Sequence, residues 1–260
     1  GPELFTPENA AQYGAWVGER FRRFSNILYI LGGDRPIVTD RHRSIAEAMA
    51  RALHAADPQA LVSYHPMGPG NSLMNTGDPD WIDFHMLQTG HFSDRDTYRM
   101  MEEVYSKTRF SPKPVIDGEP HYESMAVDFC PENGRFIDWD VRQGSYWSVF
   151  AGGFGITYGA AGGWRMQRET ERSDLYPQTW RESLSLPGAQ QMRHIKDLML
   201  SRDFFSRRPC QEILRRPLSW DSRLSACRGK DYLMVYDPNG REICLRDGAL
   251  TEDFYQVSWF

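Results

Sequence analysis

The sequence predicts an α/β fold of the (β/α) barrel type followed by a stretch of different texture, and three observations lead there. Short apolar runs alternate five times with amphipathic stretches before residue 205, a pattern that calls for a parallel sheet covered by helices. Polar and ionisable residues gather where the apolar runs stop, as in barrels whose strand-end loops carry the chemistry. Past residue 205 come the linker-like Arg207-Arg208-Pro209 and Arg215-Arg216-Pro217, then alternating apolar residues. The division expected is 1–205 for the barrel part and 206–260 for the segment beyond it, which the resemblance described below makes a partial β-sandwich.

Thr6-Pro7-Glu8 supplies a cap, a first-turn proline and an acid, so residues 7–24 read as an amphipathic helix with Tyr13, Val17, Phe21 and Phe24 inward. The run 26–31 is too short for an ordinary helix and stops at Gly32-Gly33-Asp34, which makes Asp34 a strand-end acid. Thr39 and Asp40 offer caps for a helix to about residue 56, with Ile45, Met49 and Leu53 on one face. A strand at 60–64 ends at His65-Pro66. Residues 67–79, rich in Gly and Pro, read as a loop over a cleft.

Trp81 to His91 reads as a short element around Phe84-His85-Met86-Leu87-Gln88, ending at Thr89-Gly90-His91. Ser93 or Asp94 then caps a helix with Met101, Val104 and Tyr105 inward. Lys113-Pro114-Val115-Ile116-Asp117-Gly118-Glu119 repeats the design of the first strand, an apolar run that stops at carboxylates before Pro120. A helix near 141–151, a Gly-rich strand at 154–159 and a helix at 189–200 with Met192, Ile195 and Met199 on one face complete this part. Residues 232–236 lead to a turn at Asp237-Pro238-Asn239-Gly240, the mark of a hairpin. A last strand at 255–260 runs into the end of the chain, which reads as cut at both ends.

The chain is 260 residues long with a net charge of −5, and no run of five like charges calls for nucleic acid or an anionic membrane. No apolar stretch approaches a membrane span. The partner expected is therefore small and uncharged, and the 13% aromatic content supplies flat rings that suit sugars as well as cores. Cys130, Cys210, Cys227 and Cys244 form no CxxC pair, so they read as buried thiols, with a Cys227–Cys244 bridge the alternative in an oxidising compartment. No cofactor or metal is called for.

Two acids at strand ends suggest one hydrolytic site. Glycoside hydrolysis needs one carboxyl group that keeps its proton for the leaving oxygen and one ionised carboxylate, and Asp34 and Glu119 can fill these roles. The bland reading of Asp34 is a loop acid capping a helix. Close packing by Ile30-Leu31-Gly32-Gly33 would raise the Asp34 pKa, and Arg35 would spoil it unless it points elsewhere. Glu119 has rivals in Asp117, on the same face by strand alternation and a supporting carboxylate, and in Glu123, beyond the proline turn and suited to fixing the loop.

His65 and His91 each close an apolar element and could bond sugar hydroxyls or be structural. Gln88 and Asp83 are weaker candidates, since Asp83 can simply cap a turn. Tyr122 and Tyr158 could hold the nucleophile or donate to it, although a buried Tyr satisfied by backbone is commoner. Trp81 and Trp164 are stacking platforms on this reading, whereas Trp147 belongs to the core. Arg142 could bind an acidic sugar or pair with Asp138 or Asp140. The pairs Gly152-Gly153 and Gly162-Gly163 read as turns, not phosphate loops.

The ordered motifs resemble the DUF4038, or apiosidase-like, glycoside hydrolases, whose barrel precedes a small sandwich labelled collagen-binding. The resemblance rests on Tyr13-Gly14 and Arg20-Phe21, the segment from Asn26 to Asp34, Tyr64-His65-Pro66, Trp81-Ile82-Asp83-Phe84 and Gln88-Thr89-Gly90-His91. It continues in the segment from Lys113 to Glu123, Asp140-Val141-Arg142, Tyr146-Trp147 and Thr157-Tyr158-Gly159. It implies that the strands present are the fourth to eighth of the barrel, with Asp34 the acid/base and Glu119 the nucleophile. It also implies a plant or microbial polysaccharide as substrate, apiose-containing pectin among the candidates, and a secreted or periplasmic location. Two alternatives remain: a metal-dependent hydrolase using Asp34, His65, His91 and Asp117, and a fragment that binds carbohydrate without cleaving it.

Overall fold

The computed structural model describes residues 4–93, 96–107, 113–250 and 255–260. Its elements begin with α1 (Pro7–Phe21), β1 (Leu28–Gly32), α2 (Asp40–Ala56), β2 (Leu61–His65), β3 (Gly70–Asn71) and α3 (Ser72–Thr76). There follow β4 (His85–Gln88), α4 (Thr97–Lys107), β5 (Val115–Asp117), α5 (Asp138–Phe150), β6 (Gly155–Ile156), α6 (Ala161–Trp164), α7 (Trp180–Ser183) and α8 (Pro187–Leu200). A separate antiparallel sheet contains β7 (Arg208–Pro209), β8 (Ser225–Arg228) and β9 (Leu233–Tyr236).

Parallel pairing holds between β1 and β2, between β4 and β5, and between β5 and β6, whereas β3 runs antiparallel to β4. Among the described residues these strands form two sheets, β1-β2 and β3-β4-β5-β6, and no ladder closes them into a ring. One backbone bond, Asp83 N to Val62 O at 2.9 Å, joins the β2 side to the run before β4. On β1 the residues that alternate with buried Leu31, namely Leu28 and Ile30, are 41% and 38% exposed.

Thr6 caps α1 as expected, with Pro7 in the first turn. The face that α1 packs is only partly the one expected: Val17 packs against the core and Phe21 is half-buried. Ala10, Gly14 and Gly18 are buried against α2, while Tyr13 and Phe24 are exposed. A Cβ on Gly14 would stand 2.3 Å from the Met49 carbonyl oxygen, so the helices approach through small residues and leave Tyr13 and Trp16 outside. Thr39 caps α2 through the His42 amide. On α4, Met101 and Val104 are buried but Tyr105 is not; the expected cap Asp94 lies outside the described residues.

Residues 67–79 do not form an open loop. They contain β3 and α3, pair Gly70 with Gln88, and bury Asn71, Ser72 and Thr76. Gly162 and Gly163 lie in α6 rather than in a turn. The hairpin partner of β9 is β8, reached through a turn closed by Gly229 N to Tyr232 O, and among the described residues the turn at 237–240 leads only to a single bridge between Leu245 and Leu214. Residues 255–260 are exposed and form no strand. All four cysteines are free thiols, with Cys210 and Cys227 buried and the other two half-buried.

The antiparallel sheet docks on α5. Trp147 Nε1 donates to the Arg223 carbonyl at 3.0 Å, Gln143 Nε2 to the Asp221 carbonyl at 2.7 Å, and Tyr146 stacks on Tyr236 with centroids 4.5 Å apart. The half-buried Arg207 guanidinium donates to the Val149 and Gly153 carbonyls at and just past the end of α5, where unpaired carbonyls favour a cation.

Candidate active site

Four strand ends meet at the site. β1 turns through Gly32, with φ of 80°, into Gly33 and Asp34; a Cβ on Gly32 would lie 2.6 Å from the Tyr64 ring, so only glycine fits there. Gly32 pairs with His65, which sets the β1 and β2 ends side by side. β4 runs on into Gly90 and His91, and Gly90 N donates to the Glu119 carbonyl at 3.0 Å, which carries the β4–β5 pairing past the strand ends.

Glu119 is held by two imidazoles. His65 Nε2 stands 3.0 Å from Oε2 and His91 Nε2 stands 3.2 Å from Oε1, in a side chain only 15% exposed. His91 Nδ1 accepts the Tyr122 amide at 3.4 Å, which makes Nε2 the protonated nitrogen facing Glu119. Burial alone would raise the Glu119 pKa, but the bonds and charges of His65 and His91 outweigh it and hold the carboxyl down at about 2. It is ionised at any ordinary pH.

His65 links the two candidate acids. Its Nδ1 lies 3.2 Å from the Asp34 amide and 2.8 Å from the Pro66 carbonyl, and one nitrogen serves only one of these at a time. In neutral His65, Nδ1 accepts from Asp34; in the imidazolium, it donates to Pro66. Burial disfavours the imidazolium, but the bonds to Glu119 and Pro66 and the charges of Glu119 and Asp34 prevail and raise the pKa.

Asp34 has φ of 50° and is exposed. The expectation that its neighbours would wrap it is overturned: Ile30 is exposed, and nothing lies within 4 Å of where a Gly33 Cβ would be. Its charge nonetheless acts at His65 and at Tyr122, as does that of Glu119.

Asp117, two residues before Glu119, has different surroundings. Its strand face is that of Val115, against α4 and α5, and Oδ2 accepts from Thr89 Oγ1 at 3.0 Å and Ser148 Oγ at 2.8 Å, while Oδ1 makes no hydrogen bond of ordinary geometry. Complete burial pushes its pKa up to about 6, and the two hydroxyls with the nearby Thr89 and Glu119 amides pull the other way. Alternation from Asp117 thus does not predict where Glu119 points, because the strand ends between them. Glu123 is also buried, and accepts from Tyr158 OH at 2.7 Å and Gly188 N at 3.2 Å, fixing the loop.

Several expected site residues lie elsewhere. Trp81 is 3% exposed in the core with Leu31, Val62 and Tyr64, so no ring face is open for stacking. Gln88 is buried with its amide beneath Gly68. Arg142 bonds Asp138 and Gln191 between α5 and α8. Asp83 accepts from His54 and from the Val62 amide. Trp147 is buried, as its helix position suggested. The four residues considered for a metal do not converge: His65 and His91 face Glu119, while Asp117 is bonded to Thr89 and Ser148, and no metal-holding cluster occurs among the described residues.

Sequence reasoning missed Thr89 and Ser148 as the partners of Asp117. The available signal was a lone polar Ser148 in the run Trp147 to Phe150. It also missed that both histidines serve one carboxylate.

Residues 1–206 match the family described as "Apiosidase-like, catalytic domain", with the strand-end site inside the matched stretch. The chain belongs to the apiosidase-like family. Residues 209–260 match the family described as "Putative collagen-binding domain of a collagenase". Among solved structures, this apiosidase-like chain is similar to a glycoside hydrolase family 5 protein from Bacteroides vulgatus at 32% identity and a TM-score of 0.86 over 95% of this chain. Another, described as a glycoside hydrolase, matches at 33% identity and a TM-score of 0.82 over 92% of this chain. The chain spans 57% of the length of each. No curated protein matches it.

Proposed function

We propose that the apiosidase-like chain hydrolyses glycosidic bonds with Glu119 as nucleophile and Asp34 as acid/base. The observation that carries this is the clamp of His65 and His91 on an ionised Glu119, with the Asp34 backbone tied to the same His65. Glu119 attacks the anomeric carbon, the bond to the leaving oxygen breaks, and the Asp34 proton goes to that oxygen. Water, giving its proton to Asp34, then displaces Glu119 and restores both groups. Asp34 takes its donor role once substrate covers the exposed turn and removes water from it. No step in this sequence calls on a metal or cofactor.

The framework proposed is a (β/α) barrel part at 1–205 and a sandwich part at 206–260. The substrate proposed is the side chain of a plant or microbial polysaccharide, met outside the cell or in the periplasm. Asp34→Asn and Glu119→Gln, made singly, should keep the far-ultraviolet circular dichroism of the parent and lose release of reducing sugar from pectic polysaccharide. Unchanged release in both variants ends this reading. The exposure of Asp34 favours a second one, carbohydrate binding without cleavage, which calorimetric binding with no product would support.

A further inference from the structure

Two adjacent non-glycine residues between β5 and α5, Asp128 and Phe129, have φ of 57° and 58°. An aspartate enters this left-handed region at modest cost because its short side chain can bond locally, but a bulky ring there is an outlier. Such backbone persists only where its surroundings over-determine it. The base of the loop is tied, with Phe136 N donating to the Met125 carbonyl at 3.0 Å and Val127 N to the Gly134 carbonyl at 3.1 Å, so the strained pair sits at its tip.

Asp128 locks that tip to the end of β4. Its amide donates to the His91 carbonyl at 3.0 Å, its Oδ1 accepts the Ser93 amide at 3.1 Å, and its Oδ2 accepts Ser93 Oγ at 2.9 Å and Asn133 Nδ2 at 3.1 Å. The residues on both sides of Phe92 are thus bonded to one residue of the loop.

The turn delivers the Phe129 ring to the histidine. Phe129 stands edge-on to His91 at 5.6 Å and to Phe92 at 5.7 Å, and Tyr122 also contacts the imidazole at 4.5 Å. Phe129 is 46% exposed, so its own burial repays little of the strain. The imidazole it touches is 5% exposed and carries the bond from Nε2 to Glu119 Oε1. A half-turn of that ring about its Cβ–Cγ bond would set a carbon opposite Glu119 and leave the carboxylate with His65 alone.

We propose that Asp128 and Phe129 are positioning residues for Glu119, acting through His91: the locked left-handed turn holds the Phe129 edge against the imidazole and keeps Nε2 on the carboxylate. The consequence for catalysis rests on the glycosidase reading; the orientation of His91 does not. A displacement of about 1 Å among reacting groups can cost about 10²-fold in rate, so a small imidazole movement is enough.

The test uses the full chain and two readouts. Nitrogen-15 NMR of the His91 imidazole at neutral pH, assigned by difference from His91→Gln, should show Nε2 protonated and Nδ1 bare in the parent. Phe129→Gly, which relieves the backbone and removes the ring, and Asp128→Ala, which removes the lock, should each average the two nitrogens. Phe129→Tyr and Asp128→Asn should restore most of the parent pattern. On pectic polysaccharide, Phe129→Gly should lower kcat tenfold or more with KM changed less than threefold, while circular dichroism stays that of the parent. Unchanged nitrogen signals in Phe129→Gly and Asp128→Ala would overturn the inference, as would a raised KM with kcat intact, which would place Phe129 on the substrate instead. Loss in the conservative variants as well, together with a lost fold, would reduce the loop to scaffold and also overturn it. If the parent releases no sugar but the nitrogen pattern behaves as stated, the glycosidase reading falls and the positioning stands; hydrolysis with unresponsive nitrogens removes the positioning alone.

Discussion

Asp117 and Glu119 lie two residues apart at the end of one strand, both withdrawn from water, yet one is pushed up to about 6 and the other held down at about 2. The difference lies in what faces them. Asp117 looks outward to the helices and finds hydroxyls, which bond a carboxylate without neutralising it. Glu119 has left the strand and faces two imidazoles, which supply bonds and charge together. Burial favours the protonated acid in both places, and partner charge decides the outcome. One strand end thereby holds a carboxyl whose pKa is raised and, two residues on, one whose pKa is lowered.

The strongest way to break this contrast is to swap the roles. Glu119→Gln should lower hydrolysis by on the order of 10⁴-fold or more if Glu119 is the nucleophile, whereas Asp117→Asn should leave most of it; steady-state rates on one substrate compare the two directly. Asp34→Asn should cost roughly 10²–10⁴-fold, the range for a missing general acid, and least with substrates whose leaving group needs no proton. Equal losses with good and poor leaving groups would remove the acid role from Asp34.

Smaller effects sharpen the electrostatics. Removing either imidazole, by His65→Ala or His91→Ala, takes one charge-assisted bond from a buried carboxylate, worth roughly 1.5–3 kcal/mol in denaturant titrations at neutral pH. Because the folded pKa of Glu119 lies below its unfolded value, this stability is present above about pH 4.5 and lost as pH falls toward 2. His65 has the opposite sign. Its raised pKa gives stability that is full below its unfolded pKa and lost as pH rises through the folded one.

Asp117 should give a signal opposite in sign to that of Glu119. Its folded pKa is raised, so its stability is full below about 3.8 and declines as pH climbs through about 6, by at most about 3 kcal/mol at about 1.4 kcal/mol per unit. Asp117→Asn cannot ionise and should flatten that part of the stability profile. An unchanged slope between pH 4 and 7 would show that Asp117 is not titrating there.

Much of this was legible because strand ends punctuate the sequence. Apolar runs too short for helices stop at Asp34, His65 and Asp117, and in the structure β1, β2 and β5 stop at or within two residues of them; the element expected to end at Thr89-Gly90-His91 stops as β4 at Gln88. What hydrophobicity alone misread was packing. The large residues at helical spacing on α1 suggested Tyr13 and Phe24 inward, whereas close helix contact selects Ala10, Gly14 and Gly18, which a scale of apolar size ranks low. Trp81 and Trp164 have the same side chain and opposite fates, one in the core under β2 and one at the surface, because exposure depends on tertiary neighbours.

The most direct test of the contrast is the titration of the Glu119 carboxyl, followed by carbon-13 NMR in the wild-type chain and in His65→Ala/His91→Ala. The account predicts a pKa of about 2 in the first and a rise to or above the ordinary carboxylate value in the second. A wild-type value near 4.5, or one that does not move when both imidazoles are removed, would contradict it.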